Sequence, residues 1–218
     1  MAATLYYTST SCGASNYIAA FRAGILGTKL HAYQADIRNK KVLTGPNTGH
    51  DFFKINPKGN VPTIVLEDGK VLNENAATLQ WIADHAVNPV GPKAGSNDRY
   101  LLQSKLSWVS SELHSSVGGL FNPTIAPEVR TFLTEKSHTK LKYLNDVELA
   151  DGRAFLVGDY FTVVDSYLYV VLTWSPYLKL DLSAYPNITK YFEGIKALPF
   201  VQEAHEAMTK ESPAVAAH

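Results

Sequence analysis

An α/β unit followed by an all-helical one is the fold class this sequence predicts, and three observations predict it. Up to about residue 87, short β-leaning runs alternate with helical apolar spacings. From Asn88 to Asn97 the chain is rich in Pro, Gly and Asn, as a linker is. Beyond that stretch the apolar period is helical throughout. The expected organisation is a first domain at 1–87, a linker at 88–95 and a helical-bundle domain at 96–218.

The elements follow in order. Thr4 to Thr8 suits a strand, and a cluster of small polar residues then leads into a helix with Ile18, Phe21 and Ile25 on one face. Gly27 to Asp36 alternates apolar and polar residues and suits a second strand. The polar stretch from Arg38 to Gly49 carries Gly45, Pro46 and Gly49 and reads as a loop; a short helix is expected from His50 to Ile55. Two apolar runs around Glu67-Asp68-Gly69-Lys70 predict an antiparallel hairpin, with Asp-Gly as the turn signal and Pro62 at its first residue. An amphipathic helix with Leu79, Ile82 and Ala83 on one face follows Asn73-Glu74-Asn75.

In the second part, Leu102, Leu106, Val109, Leu113 and Val117 form one continuous apolar stripe on a helix expected from Ser96 to Leu120. Pro123 and Pro127 interrupt the chain before a helix from Glu128 to Leu149. Thr162 and Asp165 have capping-box spacing and open a helix expected to end before Pro176. Helices at Ile188–Ala197 and Val201–Met208 complete the bundle, and the tail from Ser212 is expected to fray.

Composition narrows the function. With 45% apolar residues in 218, the chain has ample material for a packed interior. Twenty basic residues balance twenty acidic ones, so no net field recruits nucleic acid or an anionic membrane. No window approaches eighteen consecutive apolar residues, and no positive, apolar leader opens the chain, so a soluble, cytoplasmic protein is expected. A single cysteine excludes an internal disulfide and a cysteine-based zinc site. The histidines at 31, 50, 85, 138, 205 and 218 show no metal-ligand spacing, so no metal is expected.

That cysteine, Cys12, stands where the first strand hands over to the first helix. Unpaired N–H groups and the positive end of the helix dipole favour an anion there, so its thiol is expected to ionise more easily than free cysteine. The bland reading is a small cysteine that merely packs. The strand–turn–helix context favours a reactive one.

Taken together, the Leu5-Tyr-Tyr to Cys12 segment, Ile55-Asn-Pro-Lys-Gly-Asn-Val61-Pro62, Glu112-Leu113-His114 and Gly158 to Tyr167 resemble a cytosolic glutathione transferase over nearly the whole chain. Among its classes the chain looks most like the bacterial Beta class, whose hallmark is a cysteine at this turn. The resemblance implies a thioredoxin-like N-terminal domain that binds reduced glutathione, and a helical C-terminal domain carrying the electrophile pocket. It implies a cytoplasmic homodimer acting in detoxification, with glutathione as co-substrate and no other cofactor.

It also implies residue roles. Cys12 and His114 are the catalytic candidates. Val61 and Pro62, with a cis bond between them in the family, would pair with the cysteinyl part of glutathione. Glu74 and Asn75 would meet the γ-glutamyl carboxylate, with Asn75 in place of the more usual serine or glycine and still able to cap. Lys40 matches a lysine near the glycyl carboxylate, with Lys41 the one-residue alternative. Ser107 stands where the class has an asparagine reaching the partner subunit's glutathione, and Ser115 where it has lysine. Ser11 is the main rival to Cys12 as thiol activator; Tyr6, Tyr7 and Ser9 are further candidates, since other classes use a tyrosine or serine here. His114 shares a face with Ser107, Ser110, Ser111 and Gly118, small residues that can line a cleft or pack against a second subunit. Cys12-Gly-Ala-Ser15 also has the form of a monothiol glutaredoxin, so a thiol-disulfide or dehydroascorbate reductase is the rival enzyme. A non-enzymatic glutathione-binding or regulatory protein is the third alternative.

Overall fold

The computed structural model describes residues 2–211; the tail from Ser212 lies outside the described residues. These fall into two compact units: those up to Gly91 together with those from Leu198 onward, and Pro92–Ala197. The last helix therefore belongs with the first unit, although the sequence division had grouped it with the helical one. Its apolar stripe of Val201, Ala204 and Met208 is buried, and it packs on the first helix, α1.

In the first unit, β1 (Ala3–Tyr7) is the central strand of a mixed five-stranded sheet. β2 (Leu30–Asp36) lies parallel to it, with Leu5 opposite Ala32. β4 (Thr63–Val65) runs antiparallel on its other side, with Leu5 opposite Ile64, and β5 (Val71–Asn73) completes the expected hairpin. Gly69 sits at φ 82° in that turn, a conformation glycine adopts without strain. Pro62 precedes β4 instead of opening it. The polar stretch expected to be only loop contains a two-residue edge strand, β3 (Lys41–Val42), paired with Ala35 and Asp36. The strand order is β3-β2-β1-β4-β5. The short helix expected at His50–Ile55 contracts to one 3₁₀ turn, Phe52–Lys54, because Asp51 caps it by accepting from the Phe53 N–H.

α1 (Gly13–Ala23) and α2 (Asn75–His85) pack against each other. α1 is buried on more sides than a simple amphipathic stripe requires, with Ser15 and Asn16 as fully covered as Ile18. Covering a helix all round needs small residues, and Gly13, Ala14, Ala19, Ala20 and Ala23 provide them.

The second unit is all helical. α3 (Asn97–Trp108) continues through a wider π-helical turn, Val109–His114, into α4 (Ser115–Gly118). The predicted apolar stripe of this segment is buried along its length. α5 (Pro127–Tyr143) runs on through a second wide turn, Leu144–Glu148. The helix expected to stop before Pro176 is two: α6 (Val163–Leu172), and the short α7 (Ser175–Leu178) with Pro176 in its first turn, where its missing N–H costs nothing. α8 (Pro186–Lys196) completes the unit, and α9 (Pro199–Glu211) returns to the first.

The capping box forms as expected. The Asp165 carboxylate is fully buried and accepts from the Thr162 N–H and hydroxyl at 2.8 Å. It also accepts from the Leu156 N–H and from the Tyr191 hydroxyl at 2.6 Å. These bonds compensate a carboxyl group that burial alone would strongly disfavour as an anion.

Candidate active site

The turn between β1 and α1 is built by small side chains. The Ser11 hydroxyl donates to the Thr8 carbonyl at 3.0 Å and accepts from the Gly13 N–H at 3.1 Å, so Ser11 caps the turn. Gly13 sits closely against the turn: a Cβ would lie 3.1 Å from the Tyr7 Cβ and 3.2 Å from the Ser11 hydroxyl, so a larger residue would displace one of them by a few tenths of an ångström. Cys12 therefore enters the helix in α-helical geometry, partly buried, and its thiol donates to the Val61 carbonyl at 3.5 Å.

The expected easy ionisation does not occur. Burial pushes the Cys12 thiol up to about 12, and the nearby Glu74 carboxylate adds to the rise, while backbone hydrogen bonds at Cys12 and Gly13 pull the other way. In this state Cys12 is a hydrogen-bond donor and not a ready nucleophile.

Val61 is the partner that matters, and its loop is held by a residue that spacing did not single out. Asn56, fully buried, donates to the Asn60 carbonyl at 2.9 Å, to the Asn60 side chain at 2.8 Å and to the Thr63 hydroxyl at 2.9 Å. The Val61–Pro62 bond is cis. Lys40 reaches the same loop, donating to the Gly59 carbonyl at 2.7 Å with its ammonium 5.7 Å from the Phe53 ring centre. Lys41 lies exposed in β3, so it is Lys40 that approaches the Val61 loop.

At the start of α2, Glu74 adopts φ 72°, a left-handed conformation that costs a non-glycine residue on the order of 1–3 kcal/mol. Its exposed carboxylate pairs with Lys58 at 2.8 Å. The Asn75 side chain is not available to cap its helix or meet a ligand. It is buried and bonded to Ser15 at 3.1 Å and to Asn16, and Ser15 in turn donates to the Cys12 carbonyl at 2.6 Å.

Tyr7 is also committed elsewhere. It is fully buried and donates to one oxygen of Glu211 at 3.2 Å, while Tyr17 donates to the other at 3.0 Å. Burial first, then the carboxylate, raise both phenols far above their ordinary value. The Tyr6 hydroxyl accepts from Asn47 at 2.9 Å, and its ring packs on Tyr33 and Phe52.

In the second unit, His114 closes the π-helical turn, and where an outward face opposite the stripe was expected it packs inward against α6 and the residues just after it. Its Nδ1 is 2.6 Å from the hydroxyl of Tyr167, itself a buried residue of α6. The Trp174 ring meets the imidazole edge-on, 4.9 Å between centres. Burial lowers the basicity of His114, so the ring is neutral at pH 7. An open depression of about 460 Å³ is lined by His114, Ser110, Ser115, Gly118 and Gly119. Ser107 is exposed on α3, with its carbonyl taking the Ser111 hydroxyl.

Comparison with known proteins agrees with this architecture. A family model for the N-terminal domain of glutathione S-transferase matches residues 31–85, and one for the C-terminal domain matches 121–199. The chain is 29% identical over 204 residues to glutathione S-transferase GstA of Escherichia coli O157:H7, covering 93% of this chain and 97% of GstA. A sphingomonad glutathione S-transferase solved in complex with glutathione is 35% identical, with a TM-score of 0.85, covering 94% of this chain and 98% of that one. The bacterial Beta-class enzyme of Sphingomonas chungbukensis is 34% identical over the same shares, with a TM-score of 0.83. The chain belongs to the glutathione S-transferase family, and its likeness is to the bacterial Beta class. It is an enzyme, with the thioredoxin-like and helical units of that family.

Proposed function

We propose that this enzyme binds reduced glutathione in its first unit and conjugates it to small hydrophobic electrophiles, acting in detoxification as a cytoplasmic homodimer. Glutathione is the co-substrate, and no other cofactor is invoked. The observation that carries the reading is the Val61 carbonyl, presented beside the Cys12 thiol by a loop that Asn56 ties down. The cysteinyl backbone of glutathione pairs with Val61 as an added strand would, which sets its sulfur near Cys12. Lys40 takes the glycyl carboxylate. The N–H groups at the start of α2, beside Glu74, take the γ-glutamyl carboxylate.

The chemistry then needs little from the protein beyond placement. The glutathione thiol gives up its proton, its sulfur bonds to the electrophilic carbon, and a leaving group such as chloride departs with the bonding pair. Cys12, a protonated thiol, donates a hydrogen bond to the glutathione sulfur. His114, in the second unit, is the further catalytic candidate by its Glu112-Leu113-His114 motif.

Thiol exchange through Cys12 is the lesser reading. It requires a Cys12 thiolate, which burial disfavours. The glutaredoxin-like, dehydroascorbate reductase and non-enzymatic alternatives have less support still. Turnover of a chlorinated aromatic electrophile is the test: a conjugate should form with saturable dependence on glutathione. Absence of conjugate, with a glutathione mixed disulfide reduced instead, rejects the reading.

A further inference from the structure

The starts of α1 and α2 are joined in the interior of the first unit by three polar side chains. Ser15 and Asn16, at the start of α1, are fully buried, and Asn75, the first residue of α2, is 5% exposed. The Asn75 amide donates to the Ser15 hydroxyl at 3.1 Å, and its oxygen accepts from the Asn16 amide. Ser15 passes the connection on by donating its hydroxyl to the Cys12 carbonyl at 2.6 Å, which also takes the Ser15 N–H at 3.0 Å. Cys12 in turn donates its thiol to the Val61 carbonyl. An unbroken path therefore runs from the start of α2 to the Val61 edge. Those are the two places that take the γ-glutamyl and cysteinyl parts of glutathione in the function proposed above.

As a way of holding two helices together the tie is costly. The Asn16 Oδ1 is buried and has no hydrogen-bond partner among the described residues. Turning that amide over would set two asparagine oxygens against each other, so one of its polar atoms goes unpaired either way. A half-satisfied buried network is less stable than an apolar contact of the same shape. What the network supplies is direction. Hydrogen bonds fix one separation and one rotation of the two helix starts, where apolar side chains would accept a range.

We infer that Asn16 and Asn75 are positioning residues that hold the start of α2 and the Val61 carbonyl at the spacing of a γ-glutamylcysteine unit, and so select a γ-glutamyl thiol. The inference rests on the reading that glutathione spans those two places. Cysteinylglycine, which lacks the γ-glutamyl group, reaches only the Val61 edge and Lys40 and does not depend on the tie.

The test compares wild type with the double variant Asn16→Leu/Asn75→Leu, in which leucine repeats the branching of asparagine without its polar atoms. Its urea midpoint should equal or exceed that of wild type, since the unpaired atom and its neighbours' polar groups are removed together. KM for glutathione should rise about tenfold, while kcat at saturation falls by about threefold or less. Competitive inhibition by cysteinylglycine should stay within about twofold of wild type. A double variant with unchanged KM, or one that unfolds at lower urea than wild type, overturns the inference. So does a loss of cysteinylglycine binding as large as the rise in KM. A wild-type enzyme that cysteinylglycine inhibits as well as γ-glutamylcysteine does overturns the reading beneath it, because the γ-glutamyl end then adds nothing. That result is obtained without any variant and is distinguishable from the other three.

Discussion

At Cys12 two influences oppose each other, and their magnitudes decide the outcome. A helix N-terminus favours a charged group by about 0.3–1 kcal/mol, well under one pH unit, whereas burial shifts a titratable group by up to about 3–5 units. Burial wins, and the thiol stands at about 12. The thiolate fraction grows only as pH climbs toward that value. Alkylation of Cys12 in the free enzyme should therefore be at least tenfold slower than that of free cysteine at pH 7.5, and still rising at pH 10. Fast labelling at neutral pH would contradict the assignment. Cys12→Ala should lower conjugation by tenfold or less, since binding and orientation persist.

Tyr7 makes the contrast. Its hydroxyl is spent on Glu211, so Tyr7→Phe should cost about 1–2 kcal/mol in urea unfolding and leave conjugation close to wild type. A collapse of activity at normal stability would restore tyrosine as the thiol activator.

Two elements depend on a buried polar residue and separate binding from stability. Asn56 fastens the Val61 loop through three acceptors, and Asn56→Ala removes those bonds at a cost of about 1–2 kcal/mol, the Asn60 carbonyl keeping the Thr63 hydroxyl. Because that loop is the proposed glutathione edge, KM for glutathione should rise with the loss of stability. Tyr191→Phe removes one bond to the buried Asp165 carboxylate at the start of α6. It should cost about 1–2 kcal/mol of stability with KM for glutathione unchanged. Urea midpoints and steady-state kinetics on both variants distinguish the two cases, and a KM shift in Tyr191→Phe would break the separation.

For the whole molecule, assembly is the open property. The exposed Ser107 and Ser111 have small side chains that permit close approach of a two-fold mate. Light scattering at micromolar concentration should report about twice the 23.9 kDa chain mass, and Ser111→Arg should return it toward 23.9 kDa. A wild-type monomer at that concentration removes the homodimer.

What the sequence determined by itself was whatever depends on neighbours within a few residues. The β1–turn–α1 junction, the Asp68-Gly69 hairpin and the Thr162–Asp165 box were legible because period, turn chemistry and capping are local. The family motifs likewise singled out Cys12, Val61, Glu74 and His114 as candidates. The two-residue β3 was not legible, because only pairing with Ala35 and Asp36 makes it a strand. Nor was the return of α9, which a helical period cannot assign to one unit or the other. The chemical state of the site residues was decided by tertiary structure alone. Cys12 meets a carbonyl 49 positions away, Asn75 a serine 60 away, His114 a phenol 53 away and Tyr7 a carboxylate 204 away. Local pattern can say where a thiol or imidazole stands. Its charge, its tautomer and its hydrogen-bond partner follow from what the fold packs around it.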